Sequence, residues 1–385
     1  MKILMITMSP VEALTSAMLR NLAVVKGLVD LGHAVTLISP EMSAGGTPVS
    51  LSRYPFLERV RLIRLGKSAL REKIWTDPGK KSLKARLVNV LRRVYHAFSV
   101  LGSTKGMAKG ISLEILGEER EFDLLLTSSD PKTAHLAGAT LLRQGLKAAR
   151  WVQYWGDPLT LDMTRKSLCP TFLVRRLEKK LLRGADRIVY VSPFTLTEQK
   201  RLFFHLQDRM DFAPVPYIEE RREPAPANER FRVSYVGAYH SAVRNILPFY
   251  EALVALSPEV EGYVVGDSDL SLSPTDSIHV LPRGDAREIE ASSDLLVCVL
   301  NRFGTQIPGK IYHAAATSRP ILVITDGECA EQMCEYLREY DRFLLCPNEK
   351  GAIEGAIRSL MEQPRSFAPS PAFSPAGVAE KLIKR

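Results

Sequence analysis

The chain has 385 residues, more than twice a usual domain length of about 150, so two domains are expected and a single small domain is excluded. Hydrophobic content of 45% and charged content of 25% exclude a disordered chain and fit an ordinary globular one. The net charge of +9 is unevenly placed: residues 61–110 carry 13 Lys and Arg against Glu72 and Asp77, hence +11, and the other 335 residues sum to −2. One basic segment on a near-neutral protein argues against a surface that coats nucleic acid.

In chain order, "MKILMITMSP" reads as a buried first strand, its apolar run too short for a signal peptide. "TSAMLRNLAVVKGLVDLG" follows as an amphipathic helix ending at Gly32, then "HAVTLISP" as the next strand. Within the basic segment, residues 83–101 put Leu83, Leu87, Val90, Leu91, Val94, Phe98 and Leu101 on one helical face. Lys84, Arg86, Arg92 and Arg93 lie off that face, a pattern suited to core packing or to an anionic membrane surface. Strand and helix signals then alternate through "FDLLLTSS", "AHLAGATLLRQG", "ARWVQYW", "LVRRLEKKLLRGA" and "DRIVYVSP".

Residues 214–230, rich in proline and charge, read as a linker between a first domain at 1–213 and a second at 231–362. The second domain restarts the alternation with "FRVSYVGA", "ILPFYEALVALS", "VEGYVVGD", "SIHVLPRG", "AREIEASS" and "DLLVCVL". Residues 363–385 read as a proline-rich irregular stretch and a terminal helix. The expectation is α/β: two doubly wound parallel sheets, with ligands at the C-terminal strand ends and a cleft between domains. Cys169, Cys298, Cys329, Cys334 and Cys346 have no metal-ligand spacing and read as free thiols of a reducing cytoplasm. No apolar run has the length of a transmembrane helix.

Three stretches hold candidate chemistry. In "GTQIPGKIYHAAATSRPIL", Lys310 falls at the start of a short helix, where a cation is disfavoured by up to about 1 kcal/mol unless an anion sits there. "WVQYWGDPLTLD" places Asp157 just past an aromatic-rich strand, as a site carboxylate or as a turn residue before Pro158. "TSSDPKTAH" ends another strand, with Asp130 as a site carboxylate or helix cap and His135 more often structural. Thr15 and Ser16 offer hydroxyls or a helix start after the glycine-free loop "TMSPVEALTS".

Four stretches resemble retaining, nucleotide-sugar-dependent glycosyltransferases of family 4, with the GT-B fold of two Rossmann-like domains facing across a cleft. They are "MKILMIT…LGHAVTLIS", "RGADRIVYVSP", "VSYVGAYHSAVRN" and, most specifically, "IPGKIYHAAATSRPIL". The resemblance implies a donor site in the second domain. Gly237 lies in its first loop, Arg244 stands where a lysine is usual, and Gly309 and Lys310 are placed for the diphosphate. Many members carry Glu-x7-Glu; here those positions are Thr305 and His313, which can still bond hydroxyls but not as bidentate carboxylates. The acceptor is implied in the first domain, with Asp157 and Asp130 as the candidates for acceptor activation or sugar contact.

The resulting expectation is a glycosyltransferase on the cytoplasmic side, peripheral on the inner membrane face. It would move a sugar from a nucleotide diphosphate to a glycan or lipid-linked acceptor in polysaccharide or glycoconjugate biosynthesis. Neither a cofactor beyond that donor nor a metal is expected, because the basic residues make a diphosphate-bound cation unnecessary. The alternative is a noncatalytic scaffold that has lost the donor-site glutamates. A nucleic-acid role for 61–110 has little support, since few aromatics interleave the charges.

Overall fold

The computed structural model describes residues 1–13, 15–42, 49–66, 97–162, 165, 167–222, 224, 226–284 and 286–384. The chain forms two units, Met1–Ile218 together with Pro375–Arg385, and Glu219–Ser374. The basic amphipathic helix expected over 83–101 falls outside the described residues up to 96. Beyond it, Phe98 is exposed and Leu101 is buried in the first unit's core.

In the first unit the elements are β1 (Lys2–Ile6), α1 (Ser16–Asp30), β2 (Ala34–Pro40), β3 (Val60–Leu65), α2 (Lys105–Gly110), β4 (Glu121–Phe122), β5 (Leu124–Ser128), α3 (Thr133–Arg143), β6 (Lys147–Ala148), β7 (Trp151–Trp155), α4 (Thr171–Leu182), β8 (Arg187–Tyr190), α5 (Pro193–Leu202) and β9 (Met210–Phe212). Seven of these strands form one parallel sheet in the order β3-β2-β1-β5-β7-β8-β9, and β4 pairs with β6 beside it. The continuous apolar runs of β1 and β5 follow from burial on both faces. Ile3 and Met5 pack with Val25 and Leu28 of α1, while Leu4 and Ile6 pack with Ala137 and Leu141 of α3. Each such side chain contributes about 1.5–3 kcal/mol on burial.

The second unit contains β10 (Phe231–Val236), α6 (Leu247–Ala255), β11 (Val260–Val265), β12 (Ile278–Leu281), α7 (Arg287–Ser292), β13 (Leu295–Val299), α8 (Gly309–Ala314), β14 (Ile321–Thr325), α9 (Ala330–Arg338), β15 (Leu344–Pro347) and α10 (Lys350–Glu362). Its six strands are parallel in the order β12-β11-β10-β13-β14-β15. Both sheets therefore have the doubly wound order, which reverses between β1 and β5 and again between β10 and β13. Ligands of such sheets sit outside the carboxyl ends of the strands at that reversal.

Two boundaries differ from those expected. The stretch 214–230 is no free linker: Tyr217 is buried in the first unit, the Tyr154 hydroxyl donates to the Pro214 carbonyl at 2.7 Å, and residues from Glu219 onward belong to the second. The proline-rich stretch before 374 stays with the second unit, where the buried Phe373 meets Tyr312, Tyr340 and Phe343. The terminal helix α11 (Pro375–Ile383) returns to the first unit and lies on α1. Its Val378, Ala379 and Leu382 are buried in the core that α1 lines. Gly27 permits this approach, since a Cβ there would stand 2.0 Å from the Pro375 carbonyl oxygen. Arg187 donates to the Lys381 carbonyl at 2.7 Å and Arg150 to the Ile383 carbonyl at 2.6 Å, satisfying last-turn carbonyls that a helix leaves open. Among the described residues no helix is long and apolar enough to cross a membrane.

Candidate active site

At the reversal point of the first sheet, Asn21 of α1 ties the two central strands together. Its amide donates to the Thr7 hydroxyl at 3.0 Å beyond β1, and its carbonyl oxygen accepts from Ser128 of β5 at 2.6 Å. Thr15 caps α1 by accepting from the Met18 N–H at 3.1 Å, so this hydroxyl starts a helix, as one of its two expected roles required.

Asp130 follows β5 and Asp157 follows β7. Asp130 does not cap α3: its Oδ1 pairs with Lys132 Nζ at 2.8 Å, and the cap position of α3 has no side-chain bond. The same ammonium pairs with Asp162 at 2.9 Å. Burial opposes the charge on Lys132, but Asp130, Asp162 and Asp157 outweigh it and hold its pKa above the ordinary lysine value. Asp157 carries the opposite perturbation. Burial, then the Asp130 and Asp162 carboxylates, outweigh Lys132 and Arg20 and push its pKa up to about 6.

Arg20 joins the group from α1. It is 5% exposed, its guanidinium lies 5.2 Å from the centre of the Tyr154 ring, and its Nε and Nη2 have no hydrogen-bond partner. Gly156 makes room for it: a Cβ there would lie 2.2 Å from Arg20 Nη1 and 3.1 Å from Asp130 Oδ2. A guanidinium and a carboxylate thus flank one glycine at the strand end, an arrangement that presents donors and acceptors to a hydroxyl-rich ligand.

The loop carrying Asp157 is held from beneath by Glu178 of α4. Its two carboxylate oxygens accept from the Leu159 N–H at 2.9 Å and the Thr160 N–H at 2.8 Å. Burial raises the pKa of Glu178 despite these bonds. His135 is structural: buried, stacked on Trp155 at 4.1 Å between ring centres, and bonded through Nδ1 to the Thr127 hydroxyl at 2.9 Å. Burial, Lys132 and Arg20 drive its pKa well below the ordinary value, so it is a neutral ring.

The second unit has a separate cluster at its own reversal point. Gly237 directly follows β10 and Arg244 lies in the same loop, half-buried, its Nη1 donating to the Ala238 carbonyl at 2.7 Å. Gly266, at φ +155°, makes this turn possible, because a Cβ there would fall 1.9 Å from the Gly237 carbonyl oxygen. Beyond β13, Thr305 and Gly309 are partly buried and Lys310 is exposed in the first turn of α8. The loop of Arg244 meets the loop that leads from β13 to Lys310, where the Arg302 N–H donates to the Val243 carbonyl at 2.8 Å. Burial pushes the Cys298 thiol up to about 12, while Lys310 and Arg244 pull it down.

His313 lies one turn beyond Lys310 on α8. Burial first, then Lys310 and Arg221, lower its pKa to about 4, so it is a neutral imidazole. Arg221 reaches this neighbourhood because its N–H donates to the Ala316 carbonyl at 2.8 Å, and it pairs with Glu290 at 3.3 Å. Among the described residues no group of His, Cys, Asp and Glu is arranged to hold a metal ion.

Sequence reasoning placed Asp130 and Asp157 at strand ends and Lys310 at a helix start, and the family resemblance placed Arg244 in a loop, but Arg20, Lys132, Asp162 and Glu178 were missed. The "DPK" of 130–132 was a usable signal for Lys132, since it directly follows the candidate acid. Arg20 and Glu178 gave none, each reading as one more charge on an amphipathic helix.

Comparison with known proteins bears on the family and the fold. A family model described as a glycosyl transferase 4-like domain matches residues 19–216, just over half of the chain. Anabaena HepE, solved with UDP and glucose, superposes with a TM-score of 0.55 at 14% identity, covering 99% of this chain and 95% of that one. A glycosyltransferase from Rickettsia africae gives 0.53 at 14% identity, covering 99% and 93%. An E. coli structure described as trehalose-6-phosphate bound with UDP-2-fluoro glucose gives 0.55 at 10% identity, covering 99% and 94%. Likeness at these identities establishes the shared two-sheet fold. No curated protein matches the chain in sequence.

Proposed function

The chain belongs to the glycosyl transferase 4-like family, and from that premise we propose that this glycosyltransferase moves a sugar from a nucleotide diphosphate to a glycan or lipid-linked acceptor, with retention, in polysaccharide or glycoconjugate biosynthesis. The observation that carries the reading is that the loop holding Arg244 and the loop leading to Lys310 meet at the reversal point of the second sheet, where the Arg302 N–H donates to the Val243 carbonyl at 2.8 Å. As the bond from the anomeric carbon to the diphosphate oxygen breaks, negative charge gathers on the leaving group. Fixed cations at that point lower the barrier. HepE with UDP and glucose, and the E. coli protein with UDP-2-fluoro glucose, support a uridine diphosphate sugar as the first donor to test.

His313, neutral above about pH 4, offers a ring nitrogen to a ribose or sugar hydroxyl without adding charge. Thr305 offers a hydroxyl where a carboxylate is usual, so donor selectivity differs from that of members with Glu-x7-Glu. On the acceptor side, Asp157 accepts the hydroxyl proton. With its pKa near 6, it is ionised at pH 7–8 yet more basic than an ordinary aspartate. Asp130 and Arg20 hold neighbouring acceptor hydroxyls. The net +11 of residues 61–110 supports a membrane-borne acceptor and a peripheral position on the inner membrane face.

The test is thermal stability measured against a panel of nucleotides and nucleotide sugars. A donor at about 100 times its dissociation constant adds roughly 2.7 kcal/mol, a clear rise in melting temperature. One nucleoside diphosphate and its sugar conjugate are expected to stabilise the protein, and Lys310→Ala to abolish the shift. A flat response across the panel would overturn the donor assignment.

A further inference from the structure

Helix α4 has a solvent face unlike any ordinary helix surface. Its Val174, Glu178, Leu181 and Leu182 are buried, which turns Phe172, Arg176, Lys180 and Arg183 outward along one stripe. From Leu168 to Arg183 the sequence holds five cations, and Glu178, its single acid, faces the core. Large apolar side chains stand in water at the same end: Leu168 is 69% exposed, Phe172 70%, and Leu173 44%. Phe204, 71% exposed, joins them from the start of a short 3-10 helix after α5. Arg175 fixes that neighbourhood, donating to the Leu202 carbonyl at 2.8 Å and lying 5.9 Å from the Phe203 ring centre.

Isolated exposed apolar residues need no explanation, but two phenylalanines and two leucines beside an unbalanced row of cations do. Solvated helices alternate charge signs, and this face does not. Aromatic tips beside cations on flexible stems suit a layered partner, with apolar groups entering its edge and cations meeting anionic headgroups. We propose that the outward face of α4, with Leu168 and Phe204, docks on an anionic lipid surface. Charge complementarity argues for that occupant. So does continuity with the basic segment 61–110, whose Ala97 accepts from the Leu168 N–H at 2.7 Å. The inference rests on the reading of a membrane-borne acceptor, yet its test requires no turnover.

The experiment is co-sedimentation of the full chain with vesicles of equimolar phosphatidylglycerol and phosphatidylcholine, against vesicles of phosphatidylcholine alone. Binding is expected to the anionic vesicles and to be reversed by salt. Each cation near such a surface strengthens binding roughly fivefold, so Arg176→Glu with Lys180→Glu should weaken it more than tenfold. Phe172→Ser with Phe204→Ser should weaken it at unchanged charge, and Arg176→Lys with Lys180→Arg should retain it. A Phe172→Trp variant should shift its fluorescence to the blue on anionic vesicles. All these side chains are exposed, so circular dichroism should be unchanged. Equal binding by the α4 variants and the wild type would overturn the proposal, as would equal binding to neutral vesicles. A face that instead joins two copies, seen as a dimer that the phenylalanine variants dissociate without vesicle binding by the wild type, would also overturn it. Loss of donor-induced stabilisation with vesicle binding intact would count against the enzymatic reading alone.

Discussion

The two reversal points use the same topology for opposite electrostatics. In the first sheet, Asp130, Asp157 and Asp162 surround Lys132, with Arg20 buried behind them, and every charge is balanced or strained by its neighbours. In the second, Arg244 lies in the loop after β10 and Lys310 begins α8 after β13, His313 is neutral, and Lys310 stands in solvent. The first is a compensated cluster suited to hydroxyls and one proton; the second presents cations suited to an anion. The same residue type should therefore respond differently in the two places.

The largest effect is expected from Lys132→Ala. It leaves two partly buried carboxylates without their cation and should cost about 3 kcal/mol in denaturant unfolding, with the melting temperature falling accordingly. Lys310→Ala is the contrast: stability unchanged, because the side chain is exposed, and turnover down by about a hundredfold, as when one transition-state donor is removed. Equal loss of stability in both variants would break the comparison. Arg244→Ala should lower turnover by about tenfold and also loosen the loop it bonds through Ala238, so a modest stability loss accompanies it.

Asp157 sharpens the comparison through pH. Its folded pKa of about 6 is raised above the unfolded value, so its contribution to stability is complete below about pH 4 and is lost as pH rises through 6. Asp157→Asn should therefore be more stable than wild type at pH 8, by on the order of 1 kcal/mol, while losing activity. In the wild type, turnover should decline as pH falls through about 6. Wild-type activity with an ordinary aspartate profile, flat to pH 5, would remove Asp157 from proton transfer.

The sheets were legible because strands buried on both faces spell out continuous apolar runs, and helices between them carry a 3.6-residue period. The strand-end positions of Asp130 and Asp157 followed from that alone. Arg20 did not, because its role arises from the fold bringing α1 beside Gly156, 136 positions later in the chain. Glu178 sits in "RRLEKK", which reads as a solvated face; the loop amides of Leu159 and Thr160, donated from another element, help to make its inward turn stable. Helix α11 was recognised as a helix, but the partner of its apolar side was not, since periodicity names a face without naming what covers it.

The return of α11 to the first unit has a consequence for synthesis. The residues of α11 leave the ribosome only after the whole of the second unit, 219–374, has been made. Until then the nascent first unit holds its sheet and α1 with the groove at Gly27 bare, so its folding closes last although its chain emerges first. A pause or truncation before residue 375 would present that apolar groove to chaperones, while the second unit, already complete in sequence, folds on its own schedule.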